Sequence, residues 1–327
     1  MNLAYLQLTP DDILNAVEAQ GYVTDGRILA LNSYENRVYQ VGLEEDSPLV
    51  AKFYRPQRWS NAAIVEEHSF SRELADNEIP VVAPLVSSAG ESLFDTGVFR
   101  FALFPRRGGR AAELDNAQQL TQIGRFLGRL HTVGAATSFR HRSRLSMENM
   151  IIEPSRSLLE NRWLPVELEV AYESLIDQLV EQIEGCYARA GQLPEIRLHG
   201  DFHLGNILWR DDAPIIVDLD DCRTGPAVQD IWLLLSGDRP YMAARLQNVM
   251  EGYLDFCDFN PRELHLVEAL RTMRMVHYAS WLAKRWQDPA FPRAFPWFDS
   301  PRYWDEHILS LREQAALMQE PPLPLAD

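Results

Sequence analysis

Leu198-His199-Gly200-Asp201-Phe202-His203-Leu204-Gly205-Asn206-Ile207-Leu208, followed by Ile215-Ile216-Val217-Asp218-Leu219-Asp220-Asp221, is the stretch from which the fold can be read. Apolar residues bracket both pieces, so each reads as a short buried strand whose end delivers acids and an amide into one place. A solvated turn would account for Asp, Gly and Asn. It would not account for an apolar frame on both sides with a second acidic strand just downstream.

Asp201 and Asn206 are spaced as D-x-x-x-x-N, an arrangement in which the Asp takes the proton of an acceptor hydroxyl and the Asn holds magnesium. Asp218 stands where a second metal-binding carboxylate belongs, so Asp201 and Asp218 are the expected catalytic pair and Asn206 and Asp218 the expected metal ligands. Phosphoryl transfer needs little else locally, because it is mostly positioning plus charge neutralisation by hard oxygen ligands and Mg²⁺.

Upstream, Thr9-Pro10-Asp11-Asp12 is a helix start and Gly21 its end. Runs from Arg27 to Leu31, Arg37 to Leu43 and Leu49 to Tyr54 read as an antiparallel meander, and extended runs Pro80 to Ser87, Glu91 to Asp95 and Val98 to Phe104 are expected to complete a five-stranded sheet. Lys52 lies inside the third strand, and buried lysines are rare unless paired. The helical pattern from Ser60 to Ala75 offers Glu66 and Glu67 as partners. The connection Asn32-Ser33-Tyr34-Glu35-Asn36 has no glycine to let backbone amides approach phosphate. The Ser33 hydroxyl and Asn36 amide are therefore expected to supply part of that contact.

Pro105-Arg106-Arg107-Gly108-Gly109-Arg110 breaks the strand pattern and reads as a hinge. It divides the chain into residues 1–105, binding nucleotide, and 106–327, carrying catalysis and acceptor. Asn116 to Gly134 and Glu169 to Ala190 are helical, with His131 read as packed or capping. Residues from Arg140 to Val166 show little periodicity and read as an ill-defined insertion. Asp230 is expected to give structural support, either capping the apolar helix that begins at Ile231 or bracing the loop around Asp201. Trp281, Trp286, Trp297 and Trp304 crowd the end of the chain, and Glu320-Pro321-Pro322-Leu323-Pro324 reads as an extended, fraying tail.

A net charge of -16 and a pI near 5.0 argue against a nucleic-acid surface, which needs a basic stripe. Three cysteines without a C-x-x-C pair indicate neither a disulfide framework nor structural zinc. Met1 to Leu8 has no basic leader-like region, and no apolar run approaches the roughly 18 residues of a membrane span. A cytoplasmic monomer with no membrane or nucleic-acid partner is expected.

With Lys52, Glu67, His199-Gly200-Asp201-Phe202-His203-Leu204-Gly205-Asn206 and Val217-Asp218-Leu219-Asp220 in hand, the chain resembles the aminoglycoside phosphotransferase and choline kinase superfamily. Leu31-Asn32-Ser33-Tyr34-Glu35-Asn36-Arg37-Val38-Tyr39-Gln40, Lys52-Phe53-Tyr54-Arg55-Pro56 and Asp288-Pro289-Ala290-Phe291-Pro292 make it similar, more narrowly, to the bacterial stress response kinase A family. The resemblance implies an α+β, protein-kinase-like bilobal fold: an N-lobe with a five-stranded antiparallel sheet and a helix, and a larger, mainly helical C-lobe. It also implies ATP and Mg²⁺ as cofactors, a Ser/Thr hydroxyl on proteins as acceptor, and autophosphorylation. Glu67 is preferred over Glu66 because Leu74 and Pro80 then fall at the offsets of small-molecule kinases. Asp218-Leu219-Asp220 replaces Asp-Phe-Gly, and no Ala-Pro-Glu end follows. A small hydroxyl acceptor such as an amino sugar or choline is the alternative that this departure leaves open. A further alternative is a metal-dependent hydrolase, with His199, Asp201 and His203 alternating toward one transition metal.

Overall fold

A computed structural model describes residues 8–113 and 115–325. Most of Met1 to Leu8, where a leader was looked for, lies outside the described residues.

Helix α1 (Pro10–Glu18) starts where the sequence places it: Thr9 accepts from Asp12 N–H and Asp12 accepts from Thr9 N–H, a reciprocal cap. Strands β1 (Thr24–Leu31), β2 (Arg37–Leu43) and β3 (Leu49–Phe53) form the meander, and after helix α2 (Asn61–Asp76) come β4 (Phe94–Asp95) and β5 (Arg100–Pro105). The five are antiparallel in the order β1-β2-β3-β5-β4. In the central strand β3, Lys52 lies opposite Val38 on one side and Ala102 on the other. Strand alternation sends Leu49, Ala51 and Phe53 to the face covered by Ile13, Ala16 and Val17 of α1. Lys52 and Tyr54 therefore turn to the face covered by α2.

Pro80 to Ser87 does not join this sheet as a strand. It runs between the sheet and the hairpin that follows Asp201: Leu85 N–H donates to Leu103 O, and Val81 bridges Ile216 in parallel, with Ile216 N–H donating to Pro80 O at 2.7 Å. Proline at its start and at Pro84 removes donors that a paired strand would need.

The rest is mainly helical. Strand β6 (Arg110–Ala111) leads to helix α3 (Ala117–Ala136), then α4 (Glu153–Glu160) and α5 (Val166–Ala190). Short strands β7 (Ile196–Leu198), β8 (Ile207–Arg210), β9 (Ala213–Ile216) and β10 (Arg223–Gly225) carry the decisive stretch, followed by α6 (Val228–Trp232), α7 (Arg239–Tyr253), α8 (Val267–Arg285), α9 (Ala290–Ala294) and α10 (Pro301–Leu317). The 140–166 region is not an ill-defined insertion. Glu66 accepts from the backbone N–H groups of Arg140, His141 and Arg142, and Arg142 Nε donates to Cys222 O at 2.9 Å. Leu145, Met150, Ile151, Leu158 and Leu164 are buried in the main core. Its lack of periodicity reflects a π-turn over Glu148–Ile152 running straight into α4, which shifts the buried face. The tail is likewise docked, with Leu323 buried and Arg239 Nη2 donating to Pro321 O and Pro322 O.

Candidate functional site

The decisive stretch runs out of β7, turns at Gly200, makes a single 3₁₀ turn over Leu204–Asn206 and returns through the β8–β9 hairpin. That hairpin closes with two residues, Asp211 and Asp212, both at positive φ, the backbone that a tight twisted turn requires. Val217 N–H donates to Asn206 O at 3.0 Å, which sets Asn206 beside the strand end that leads to Asp218. Asp218 itself is left-handed at φ 60°, ψ 69°, an unfavourable backbone for a non-glycine residue. The bend passes into a 3₁₀ turn over Leu219–Asp221 that carries Asp220 into the interior.

Lys52 is where these pieces meet. Its ammonium lies 3.0 Å from Asp218, 3.3 Å from Asp220 and 3.8 Å from Glu67. Burial would lower the Lys52 pKa, but the three carboxylates, Asp218 foremost, hold it well above the ordinary lysine value. At Glu67 burial wins: the carboxyl is pushed up to about 7, because the ammonium stands nearer to the two aspartates. Glu66 is excluded as the lysine's partner by its own work as a cap on residues 140–142.

Asp201 is gripped from two sides. Arg274 Nη1 is 2.8 Å from Oδ1 and His203 Nε2 is 3.3 Å from Oδ2. Burial would raise this carboxyl, yet the His203 hydrogen bond and the Arg274 charge together hold it below the usual carboxylate range. Asn206 Nδ2 donates to Asp201 O at 3.0 Å, leaving the amide oxygen as the end able to meet a metal. Asp230 sits beneath: His199 N–H and Gly200 N–H each donate to it at 2.8 Å, and His131 Nε2 lies 3.2 Å away. His131 is buried and packed, as the sequence implies, with Nδ1 against Tyr253 OH.

The His-Asp-His alternation does not converge on one metal. His199 is fully buried, with Nε2 donating to Val217 O at 3.0 Å and Nδ1 accepting from Asp201 N–H. Among the described residues no three His, Cys, Asp or Glu side chains form a metal-holding group. The donors suit a hard cation instead: the Asp218 carboxylate is 51% exposed and already accepts one cation, the Lys52 ammonium, while Asn206 offers an amide oxygen.

In the glycine-free connection, Ser33 Oγ accepts from Asn36 N–H at 3.3 Å. Asn36 departs from expectation. Its Nδ2 donates to Asp220 at 3.0 Å and its Oδ1 accepts from Arg55 N–H at 3.1 Å, so both ends of the amide are committed inside the protein. Glu35 accepts from Trp281 Nε1 at 2.7 Å and from Arg285, and Tyr34 packs edge-on or tilted against Phe291 and Phe295. This loop is held by side chains from α8 and α9, where a glycine loop would be free to move.

Sequence reasoning missed Arg58, Asp221, Arg274 and Glu35. Arg58 pairs with Asp220 and Asp221, and Arg223 also holds Asp221. Asp221 is depressed far below the carboxylate range, burial being outweighed by Arg58 first. Glu35 and Arg58 stand in quoted or adjacent segments and were within reach. Arg274 gave no signal, since one arginine in a long helix reads as a solvated charge.

Comparison with known proteins bears on this arrangement. Residues 27–267 match the phosphotransferase enzyme family. The chain belongs to that family. Stress response kinase A of Escherichia coli O157:H7 is 43% identical over 97% of this chain and 96% of its own length. Serine/threonine protein kinase RdoA of Salmonella typhimurium strain LT2 is 42% identical, again over 97% of this chain and 96% of its own length. Within the family the chain therefore belongs with the stress response kinase A proteins. Among solved structures, amicoumacin kinase hAmiN in complex with AMP-PNP, Ca²⁺ and Ami aligns at a TM-score of 0.72 with 19% identity, over 95% of both chains. A microcompartment-associated aminopropanol kinase aligns at 0.68 with 17% identity, over 93% of this chain and 96% of that one. The kinase-like fold and an ATP-dependent phosphotransferase activity follow from this membership.

Proposed function

We propose that the protein is a Ser/Thr protein kinase that uses Mg²⁺-ATP and phosphorylates itself as well as other proteins. The observation that carries this is the convergence of Asp218, Asp220 and Glu67 on the Lys52 ammonium, next to a loop that presents Asp201 and Asn206. Lys52, steadied by Glu67, meets the α- and β-phosphates. Ser33 meets the phosphates from the covering loop, and Asn36 acts indirectly by fixing Asp220. Asn206 and Asp218 would hold Mg²⁺, which supplies neutralisation of charge on the transferring phosphoryl group when bound. Asp201 receives the acceptor's proton. Its basicity is low, which suits a transfer with little bond formation at the transition state, where orientation matters more than base strength. The chain divides at the 105/106 boundary into a nucleotide lobe and a catalytic lobe, and works as a cytoplasmic monomer; among the described residues no helix is long and apolar enough to cross a membrane.

Replacing Asp201 with Asn keeps shape and removes the proton acceptor. Incubation with labelled ATP and phosphosite mapping should show transfer to Ser or Thr falling about 10²-fold to 10⁴-fold, with nucleotide affinity little changed. Turnover at the wild-type rate would remove Asp201 from the mechanism. Label on an aminoglycoside or choline but never on protein would replace the acceptor while leaving the phosphotransferase intact.

A further inference from the structure

We propose that Arg274 sets the charge of the acceptor, so that the hydroxyl offered to Asp201 belongs to a segment with acidic neighbours. This rests on the protein-kinase reading above. Arg274 places one guanidinium nitrogen 2.8 Å from Asp201, and its side chain is 39% exposed. The other cations near the site are committed: Lys52 to Asp218, Asp220 and Glu67, Arg58 to Asp220 and Asp221, Arg223 to Asp221, Arg285 to Glu35 and Lys284 to Glu153, while the buried Arg142 donates to the backbone carbonyls of Asp220 and Cys222. Among the described residues Arg274 has no carboxylate partner except the candidate base. A guanidinium presents its donors in a fixed planar fork, so an arginine that touches Asp201 through one nitrogen has donors left for a second anion.

The surroundings give that second anion a place. Arg274, Tyr278, Trp281 and Arg285 recur at helical spacing along one side of α8. Tyr278 stacks on Trp281 with centroids 5.6 Å apart and planes at 18°, and Trp281 Nε1 donates to Glu35 in the loop over the nucleotide side. This side of α8 thus forms a wall from Asp201 to that loop, cationic at the end next to the base. A lysine or arginine flanking the acceptor hydroxyl would meet a like charge there. The protein's net charge of -16 pulls the other way, toward basic proteins. That pull comes from dispersed surface carboxylates, screened beyond a Debye length of about 8–10 Å, whereas Arg274 acts at contact distance. The local charge decides selectivity.

In the reaction, the bond from the γ-phosphorus to the β–γ bridging oxygen breaks, the acceptor oxygen bonds to that phosphorus, the hydroxyl proton passes to Asp201 and ADP leaves. Arg274 is a positioning and selectivity residue in this step. It orients the carboxylate with one nitrogen and the acceptor's acidic neighbour with another.

The test uses the full-length protein, Mg²⁺-ATP and two serine peptides that differ only in carrying Asp/Glu or Lys/Arg flanks. Wild type should favour the acidic peptide by about 10-fold in kcat/KM, mostly through KM. Arg274→Gln should bring the ratio close to one, Arg274→Glu should reverse it, and Arg274→Lys should keep its sign. Because the readout is a ratio between two peptides in one preparation, a general loss of activity cannot imitate it. Preference of wild type for the basic peptide, or an unchanged ratio in Arg274→Glu, would overturn the inference while leaving a protein kinase in place. Labelling of neither peptide, with labelling of a small hydroxyl compound, would overturn both.

Discussion

Asp230 shows how much of the site depends on a residue that never meets substrate. Its carboxyl accepts from two successive backbone N–H groups and faces His131, all of them buried, so the β7-to-Asp201 turn has no other means of satisfying those donors. Gly200 makes the turn possible: its φ is +83°, and a Cβ there would lie 2.1 Å from Asp221 O. Asp230→Ala leaves buried donors unpaired, and should lower unfolding free energy by about 3 kcal/mol and kcat by about 10²-fold. Urea denaturation and steady-state assays check it. Wild-type stability in that variant would mean that the loop is held by packing alone. Asp230 was legible as structural support, a helix cap or a brace, and the bonds it accepts from His199 and Gly200 N–H make it the brace. Arg274 was not, because nothing in its own neighbourhood distinguishes it from a surface charge.

At the scale of elements, the helices α3 and α7 cross at backbone contact. A Cβ on Gly252 would stand 1.9 Å from Thr121 O, and one on Gly124 would stand 2.0 Å from Val249 O. Since the obstacles are main-chain atoms in rigid helices, they cannot swing aside. Gly252→Ala should therefore cost about 3 kcal/mol despite alanine's better helix propensity, read as a lowered urea midpoint with unchanged slope. A stabilised variant would show that the helices can separate freely. The α3 helix itself was readable from its apolar spacing, and the structure adds the Asn116 cap, which accepts from Gln119 N–H. Its partner was not, because a glycine in a helix looks like a weakness until the facing backbone is known. The same holds for residues 140–166, whose order comes from the Glu66 cap and from Arg142 reaching back to the Asp220–Cys222 turn.

For the molecule as a whole, stability should carry a pH dependence set by buried acids. Glu263 is almost fully buried and accepts from Val228 N–H at 2.8 Å. Burial pushes its carboxyl up from an ordinary 4.5 to about 7, with the backbone hydrogen bonds offsetting part of the rise. Between those values the folded chain holds a proton that the unfolded chain has released, so this group's contribution falls as pH rises from 4.5 to 7. Glu263→Gln removes the dependence while keeping an acceptor for Val228. It should be more stable than wild type by about 2–3 kcal/mol at pH ~8 and nearly equal to it at pH ~4, the difference between the two proteins cancelling all other titrations. Paired urea melts at the two pH values check the sign. A second whole-molecule feature joins the sheet to the helical region: Arg37 and Arg55 pair with Asp288, and Glu35 pairs with Arg55, Arg58 and Arg285.

The sequence by itself determined the kinase-like fold, through the resemblance its motifs carry, and the grouping of Lys52, Glu67, Asp201, Asn206 and Asp218. Apolar frames around Asp201 to Asn206 and Asp218, and a lysine inside a strand, are local patterns that one chemistry explains. Only the tertiary structure decided which other groups oppose one another: Asp220 against Lys52, Asn36 against Asp220, Arg274 against Asp201. The reason is physical. Periodicity records which face of an element is buried, but an ion pair depends on the distance between elements far apart in the chain, and only their packing sets that distance.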